Sequence, residues 1–249
     1  MNIAICQNPQ ELGKAAGNAA AQLIREAIGS TGTANIILAT GTSQFEILNT
    51  LTAQRDIAWN KVVMFHLDEY IGMPETHPAS FRKYLKERFL SKLPPLKAVY
   101  LIDGEGETNK ECNRLGDLIT KHPIDIALVG IGENGHLAFN DPPADFETED
   151  PYIVVELDKA CRQQQLGEGW FESIDEVPEK AISMSIKQIL KSKHIICSAP
   201  GKRKAVAVKN TLEQPVSSLY PASILRTHAD CACYLDKDST ALLSAKFMS

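Results

Sequence analysis

The sequence predicts a single α/β domain over residues 1–249, built as a doubly wound, mostly parallel, Rossmann-like sheet with helices on both faces. Three observations lead there. Apolar runs and helical patterns alternate from one end of the chain to the other. Several of the runs (NIILA at 35–39, KVVMFHL at 61–67, IDIALVGIG at 124–132) are largely continuous rather than alternating, as strands buried on both faces of a parallel sheet require. Finally, 249 residues is about what one large domain of this kind needs, and no repeat, low-complexity tract or long linker divides it.

The elements follow in order. A first strand is expected at 3–6. A helix at 9–28 places Leu12, Ala15, Ala16, Ala19, Ala20, Leu23, Ile24, Ala27 and Ile28 at helical spacing, with Gly29 just past its end. Strands are then expected at 35–39, 61–67, 98–102, 124–131, 153–157, 181–185, 194–198 and 231–235. Helices are expected at 44–53, 79–90, 108–121, 202–212 and 222–226. In such a fold ligands sit at the carboxyl ends of the strands, near the point where the strand order reverses.

Composition narrows the function. The net charge of −5, from 26 basic and 31 acidic residues mixed along the chain, argues against a nucleic-acid or membrane-surface partner, both of which call for a basic field. A small anion stays open, because a local cation or a helix N-terminus holds one whatever the net charge. No stretch reaches the ~18 uninterrupted apolar residues of a membrane helix. The opening MNIAICQNPQELGK lacks the basic-then-apolar pattern of a secretory signal, so a cytoplasmic protein is expected. Six scattered cysteines without C-x-x-C spacing read as reduced thiols, with Cys231 and Cys233 on one face of a strand.

Three strand-to-loop junctions carry chemistry. At 38–45, LATGTSQF runs from a strand through Thr40, Gly41, Thr42 and Ser43 into a helix; glycine lets backbone approach a ligand, and hydroxyls with free N–H groups suit a phosphate. The same residues also make an ordinary Ser/Thr helix cap. At 65–72, FHLDEYIG sets adjacent acids directly after a buried strand, where a carboxylate loses hydration and can serve as a general base; an exposed loop acid is the plainer reading. At 130–143, GIGENGHLAFNDPP gathers three glycines, His136, two Asn and Asp141 in one loop. A histidine is the side chain suited to proton exchange, which makes His136 a candidate, and Asp141 or Asn134 could orient its ring. No second His or Cys sits at metal-ligand spacing, so no metal site is expected.

Together these segments resemble the glucosamine-6-phosphate deaminase/isomerase family. That family carries a TGxTP-like phosphate loop, an MDEYVGL segment followed by HPxSY, and a GxDGHxAFNEP or GxNGHxxFNEP loop. The matches here are TGTSQ at 40–44, LDEYIG at 67–72 with HPASF at 77–81, and the loop at 132–142, in the family order. A fourth, GKRKAVAV at 201–208, is similar to the family's G-x-x-K-A helix start. The resemblance implies an aldose–ketose isomerisation with deamination of an amino-sugar phosphate, glucosamine 6-phosphate first, without metal or organic cofactor. It implies Asp68 as the acid that shuttles a proton between C2 and C1, and His136 as the group that assists ring opening. Asp141 stands where the family has a supporting Glu, and Asn134 where members have Asp or Asn. Lys204 matches the phosphate-binding lysine, with Gly41, Thr42 and Ser43 as the other half of the cradle.

The sequence also departs from the family. GTSQ replaces GGTP or GSTP, and Asp141 is one methylene shorter than Glu. The family's Asn-Ser-Arg-Phe-Phe segment, source of a phosphate-binding Arg, becomes CRQQQLGEGWF at 161–171, which leaves Arg162 as the candidate replacement. Alternatives are a 6-phosphogluconolactonase-type hydrolase, a deaminase acting on galactosamine 6-phosphate, and a non-catalytic sugar-phosphate sensor. Activated members carry a basic effector segment after the GH loop; the stretch 142–158, PPADFETEDPYIVVELD, has no Lys or Arg, so no effector response is expected. Nothing in the sequence chooses between a monomer and a homo-oligomer.

Overall fold

A computed structural model describes residues 1–247. Its main sheet has seven strands: β1 (Asn2–Cys6), β2 (Ala34–Leu38), β3 (Val62–His66), β5 (Ala98–Tyr100), β6 (Ile126–Gly130), β9 (His194–Ala199) and β10 (Cys231–Asp236). Their order across the sheet is β1-β10-β9-β6-β2-β3-β5, and every pairing is parallel. The chain winds outward from β2 to β3 and β5 on one side, and from β6 to β9 and β10 on the other. The order therefore reverses between β2 and β6, which directs attention to the carboxyl ends of those two strands.

Both faces of this sheet are buried, which is why its strands read as continuous apolar runs. Along β2, Ile36 and Leu38 pack with Leu12, Ile24, Leu48 and Met64 on one face. Ile37 joins Phe65, Ile119, Val129, Ile189 and Val208 on the other. The first face is covered by α1 (Pro9–Thr31), α2 (Phe45–Thr52) and α3 (Phe81–Arg88). The second is covered by α4 (Thr108–Thr120), α6 (Ile186–Leu190) and α7 (Ala205–Glu213). α1 starts as its sequence directs: the Asn8 side chain accepts from the Glu11 N–H at 2.9 Å, Pro9 opens the first turn, and Gly32 closes the helix at φ +83°.

The expectation of a single sheet needs correction. A second sheet, antiparallel and three-stranded in the order β4-β8-β7, joins β4 (Asp68–Tyr70), β8 (Lys180–Met184) and β7 (Tyr152–Glu156). The runs expected at 153–157 and 181–185 belong here, because an apolar run does not say which sheet it joins. β4 had no apolar signal at all: it is the acidic Asp-Glu-Tyr triplet, extended because the chain leaves β3 through Leu67 and pairs at once with β8. Two helices were also unread. α5 (Lys159–Gly167) lacks an apolar stripe and α6 is short, yet Asp158 and Ser185 cap them in the usual way. The helix expected at 222–226 is a 3₁₀ turn, Pro221–Thr227, and those at 44–53 and 202–212 begin with 3₁₀ turns, Thr42–Gln44 and Lys202–Lys204. All six cysteines are free, and no described helix is long and apolar enough to cross a membrane.

Candidate active site

β2, β6 and β9 lie side by side, and the loops leaving their carboxyl ends converge on one pocket. The loops after β2 and β9 are built alike. Gly41 (φ +91°) and Gly201 (φ +87°) each adopt a left-handed conformation that only glycine takes without strain, and each leads into a 3₁₀ turn and then a helix. Each turn is pinned from behind. The Tyr84 hydroxyl donates to the Gly41 carbonyl at 2.8 Å, and the Asp236 carboxylate accepts the Gly201 N–H at 2.9 and 3.1 Å. Gln44 ties the two loops together by donating to Ser198 Oγ at 3.1 Å and Ser43 Oγ at 3.2 Å.

Thr40, Gly41, Ser43 and Lys204 line the pocket at this end, whereas Thr42 starts its turn outside the lining. Lys204 is 9% exposed, and its ammonium forms no ion pair or hydrogen bond among the described residues. Burial lowers its pKa, and the charges of Glu168 and Glu133 only partly offset that. A buried ammonium without a partner, facing a pocket, is a place for an anion.

Asp68 is the first residue of β4 and lines the same pocket. Side chains alternate along a strand, and here the alternation separates two acids by role. Asp68 is 6% exposed and its carboxyl has no hydrogen-bond partner among the described residues; burial, with the charge of Glu69 adding to it, pushes that carboxyl up to about 8. Glu69 is fully buried on the opposite side. It accepts from the Tyr70, Phe81 and Arg82 N–H groups, from Ser80 Oγ and from Arg82 Nε, and so fastens β4 to the start of α3. Burial pushes its carboxyl up and these donors hold it back. His66, two residues before Asp68, exchanges no protons near neutrality: burial and then the Arg82 charge push its imidazole down to about 3, and its Nε2 accepts the Ile102 N–H at 2.7 Å.

The loop after β6 folds around His136. Its N–H donates to Asn134 Oδ1 at 3.0 Å, its carbonyl accepts from the Gly132 N–H at 2.9 Å, and Nδ1 meets Asp141 Oδ1 at 2.9 Å. The imidazole lies directly against Gly132, where a side-chain carbon would sit 2.2 Å from Nε2, so only glycine leaves the ring its place. Asp141 also accepts from Asn134 Nδ2 at 2.8 Å and from the Asp158 N–H at 3.0 Å. Burial raises the Asp141 pKa, but these bonds, the one from His136 foremost, outweigh it and hold the carboxyl below its ordinary value. An ionised carboxylate only accepts, so Nδ1 carries the proton and Nε2 is left as the basic nitrogen. Asn134 and Asp141 thus stand behind the histidine rather than in the pocket wall.

The structure corrects the expectation for Arg162. Its guanidinium donates to the carbonyls of Ile174 (2.8 Å) and Val177 (3.2 Å) and lies 3.6 Å from Glu179, away from the pocket. The α5 face that reaches the site carries Cys161, Gln164, Gln165 and Glu168, and Arg162 falls off that stripe. The last three had not been singled out, although their i, i+3, i+4, i+7 spacing was a readable signal. Gln165 Oε1 accepts from the Tyr70 hydroxyl at 2.8 Å, and Gln164 Oε1 accepts the Glu133 N–H at 2.7 Å. The fold also brings Cys161 near the histidine, which the spacing along the chain did not suggest. One ligand atom each from His136, Asp141 and Cys161 lies within 4.8 Å of the others. These are the described residues that could hold a metal, but burial and then the charges of Asp141 and Asp158 push the thiol far up, against the thiolate that a metal needs.

Comparison with known proteins finds relatives along nearly the whole chain. Over 93% of its length the chain is 38% identical to a glucosamine-6-phosphate deaminase of Oenococcus oeni, covering 95% of that protein. A solved monomeric glucosamine-6-phosphate deaminase of the NagB superfamily superposes with a TM-score of 0.88 at 32% identity, over 97% of this chain and all of that one. A 6-phosphogluconolactonase from Trypanosoma brucei shares the fold at a TM-score of 0.77 and 18% identity, over 98% of each chain. The family model described as glucosamine-6-phosphate isomerases/6-phosphogluconolactonase matches residues 7–233, and the chain belongs to that family.

Proposed function

We propose that the protein is a glucosamine-6-phosphate deaminase, converting glucosamine 6-phosphate and water to fructose 6-phosphate and ammonia in the cytoplasm. The observation that carries this reading is one pocket holding a buried unpaired lysine, a buried acid with a pKa of about 8 and a histidine oriented by a carboxylate. The phosphate meets Lys204 and the turn at Gly41–Ser43, which places the sugar across the ends of β2 and β6.

The steps need only positioned acids and bases. His136 Nε2 takes the proton of the C1 hydroxyl and delivers one to the ring oxygen, opening the ring to the aldehyde. The C1 carbonyl acidifies the C2 proton, which the Asp68 carboxylate removes while the C1 oxygen takes a proton from water, leaving an enolamine. Asp68 returns the proton to C1 as the nitrogen lone pair closes to an iminium at C2. Water adds there, the nitrogen takes a proton, and ammonia departs to leave the ketone. A base of pKa near 8 suits this work, because it is available near neutrality yet strong enough to take a carbon acid's proton.

Release of ammonium from glucosamine 6-phosphate, measured beside galactosamine 6-phosphate and beside lactone hydrolysis, tests the reading. Turnover of the first is expected, with loss of ~10²–10⁴ in rate in Asp68→Asn. Lactone hydrolysis without ammonium release would overturn it.

A further inference from the structure

The anion end of the pocket carries a carboxylate as well as an ammonium. Glu168 follows α5 and lines the pocket with Lys204. One of its oxygens, Oε1, is held by Gln164 Nε2 at 3.1 Å, and Gln164 is itself fixed by the Glu133 N–H. The other, Oε2, makes no hydrogen bond among the described residues and points at the Gly41 turn, 3.6 Å from where a side-chain carbon on Gly41 would lie. Of the charged groups around Lys204, Glu168 acts on it most strongly, followed by Glu133 and Arg203, which pair with each other. On its far side Glu168 faces Tyr84, whose hydroxyl is engaged by the Gly41 carbonyl. The end of the site that receives the anion therefore offers one positive charge, one negative charge and a free acceptor.

A fully ionised phosphate would meet Glu168 as a like charge in a partly dry site, at a cost that rises as water is excluded. A singly protonated phosphate meets it differently: its P–OH donates to the carboxylate while its anionic oxygens accept from Lys204 and the turn N–H groups. Resting on the sugar-phosphate reading above, we infer that Glu168 is a specificity-determining residue that selects a phosphate monoester in its monoanionic form and rejects sulfate esters. A sulfate ester is also a monoanion, but near neutral pH it has no proton to donate, so against Glu168 it leaves two acceptors facing each other unbridged. The bond formed is one hydrogen bond from P–OH to Oε2, and no other proton changes place.

The second ionisation of a phosphate monoester lies near pH 6, so the monoanion falls from about half of the total at pH 6 to about one part in a hundred at pH 8. The test is calorimetric binding of glucitol 6-phosphate and glucitol 6-sulfate, neither of which has the carbonyl needed to react, to the wild type and to Glu168→Gln between pH 6 and 8. For the wild type we expect phosphate to bind at least tenfold more tightly than sulfate at pH 6, weakening more than tenfold by pH 8 while the sulfate affinity stays low. In Glu168→Gln, phosphate binding flattens with pH and exceeds the wild type at pH 8, and the sulfate ester gains about tenfold. An unchanged phosphate-to-sulfate ratio in Glu168→Gln overturns the inference. So does a pH slope that persists in that variant, since it would then come from the other titrating groups of the pocket, Lys204 and Asp68. If Glu168→Gln does not fold, Glu168→Ala takes its place, with the same loss of slope and of selectivity expected. Failure of both esters to bind, together with absent ammonium release, refutes the sugar-phosphate reading itself; ammonium release with an unselective anion end refutes only the role of Glu168.

Discussion

Asp68 is expected to be as costly to the fold as it is necessary to the reaction, and replacing it with Asn separates the two. The carboxyl moves from an ordinary 3.8 to about 8 on folding because it loses water in the pocket and faces the charge of Glu69. A folded-state pKa above the unfolded one means that the native protein binds the extra proton between these values, so wild-type stability falls as pH rises from about 4 to 8. A span of about four pH units at ~1.4 kcal/mol each sets this loss on the order of 5 kcal/mol once the acid is ionised. Asn has the same shape and no charge to bury. Thermal melts of both proteins from pH 4 to 9 should nearly coincide at pH 4 and diverge steadily from there to about pH 8. By pH 8.5 the variant should melt on the order of 10 °C higher, since a chain of this size gains ~2–4 °C per kcal/mol. Its ammonium release should be lost at every pH. Parallel melting curves with no divergence between pH 5 and 8 would refute the argument that burial holds the proton on Asp68.

Four further outcomes are expected. Because the proposed base acts as the carboxylate, kcat of the wild type at saturating substrate should rise with pH through about 8, and a kcat that peaks at pH 6 and falls would contradict that assignment. Asp141→Asn should lower kcat by about 10–100-fold with little change in KM, since the histidine keeps its place but loses the acceptor that fixes its tautomer; steady-state kinetics at several pH values check it. Gly132→Ala should inactivate the enzyme through displacement of the His136 ring, with the overall fold retained by circular dichroism. Saturation curves for glucosamine 6-phosphate should be hyperbolic and indifferent to N-acetylglucosamine 6-phosphate, as the acidic stretch 142–158 offers a second sugar phosphate no local cation; a sigmoidal curve that the compound makes hyperbolic would contradict it.

Much of this was legible in the sequence, and what was missed has physical reasons. The main sheet announced itself because strands covered on both faces have no polar positions to interrupt them, as β2, β3 and β6 illustrate. The loops at Gly41, Gly132 and Gly201 were visible as glycines among hydroxyls, amides and lysines. The small sheet was hidden because β4 is an acidic triplet whose extended shape comes from its partner β8, not from its own composition. Helix α5 was hidden because its inward face is made of Cys161, Gln164 and Gln165, residues that a search for apolar stripes passes over. The sequence offered Arg162 as a cation for the site. On α5, however, the position is set by a turn of helix rather than by proximity along the chain, and its guanidinium went to nearby carbonyls instead.

The division of the pocket between two sheets has a consequence of its own. The cradle at Gly41 and Lys204 hangs from the main sheet, while the base Asp68 and the roof on α5 are carried by the small antiparallel one. The separation between anion and base is therefore not fixed inside any single element; it is the spacing of two sheets joined at Leu67, whose N–H donates to the Leu38 carbonyl and whose carbonyl accepts the Met184 N–H, like the jaws of a caliper at their hinge. On the proposed reading a substrate is expected to be gauged by its carbon count: a shorter chain anchored by its phosphate would leave C2 out of reach of Asp68, and a longer one would carry C2 past it. Engineering a new chain length into this scaffold is then a matter of reseating one sheet on the other through Leu67 and the residues beneath it, rather than of exchanging residues in the pocket.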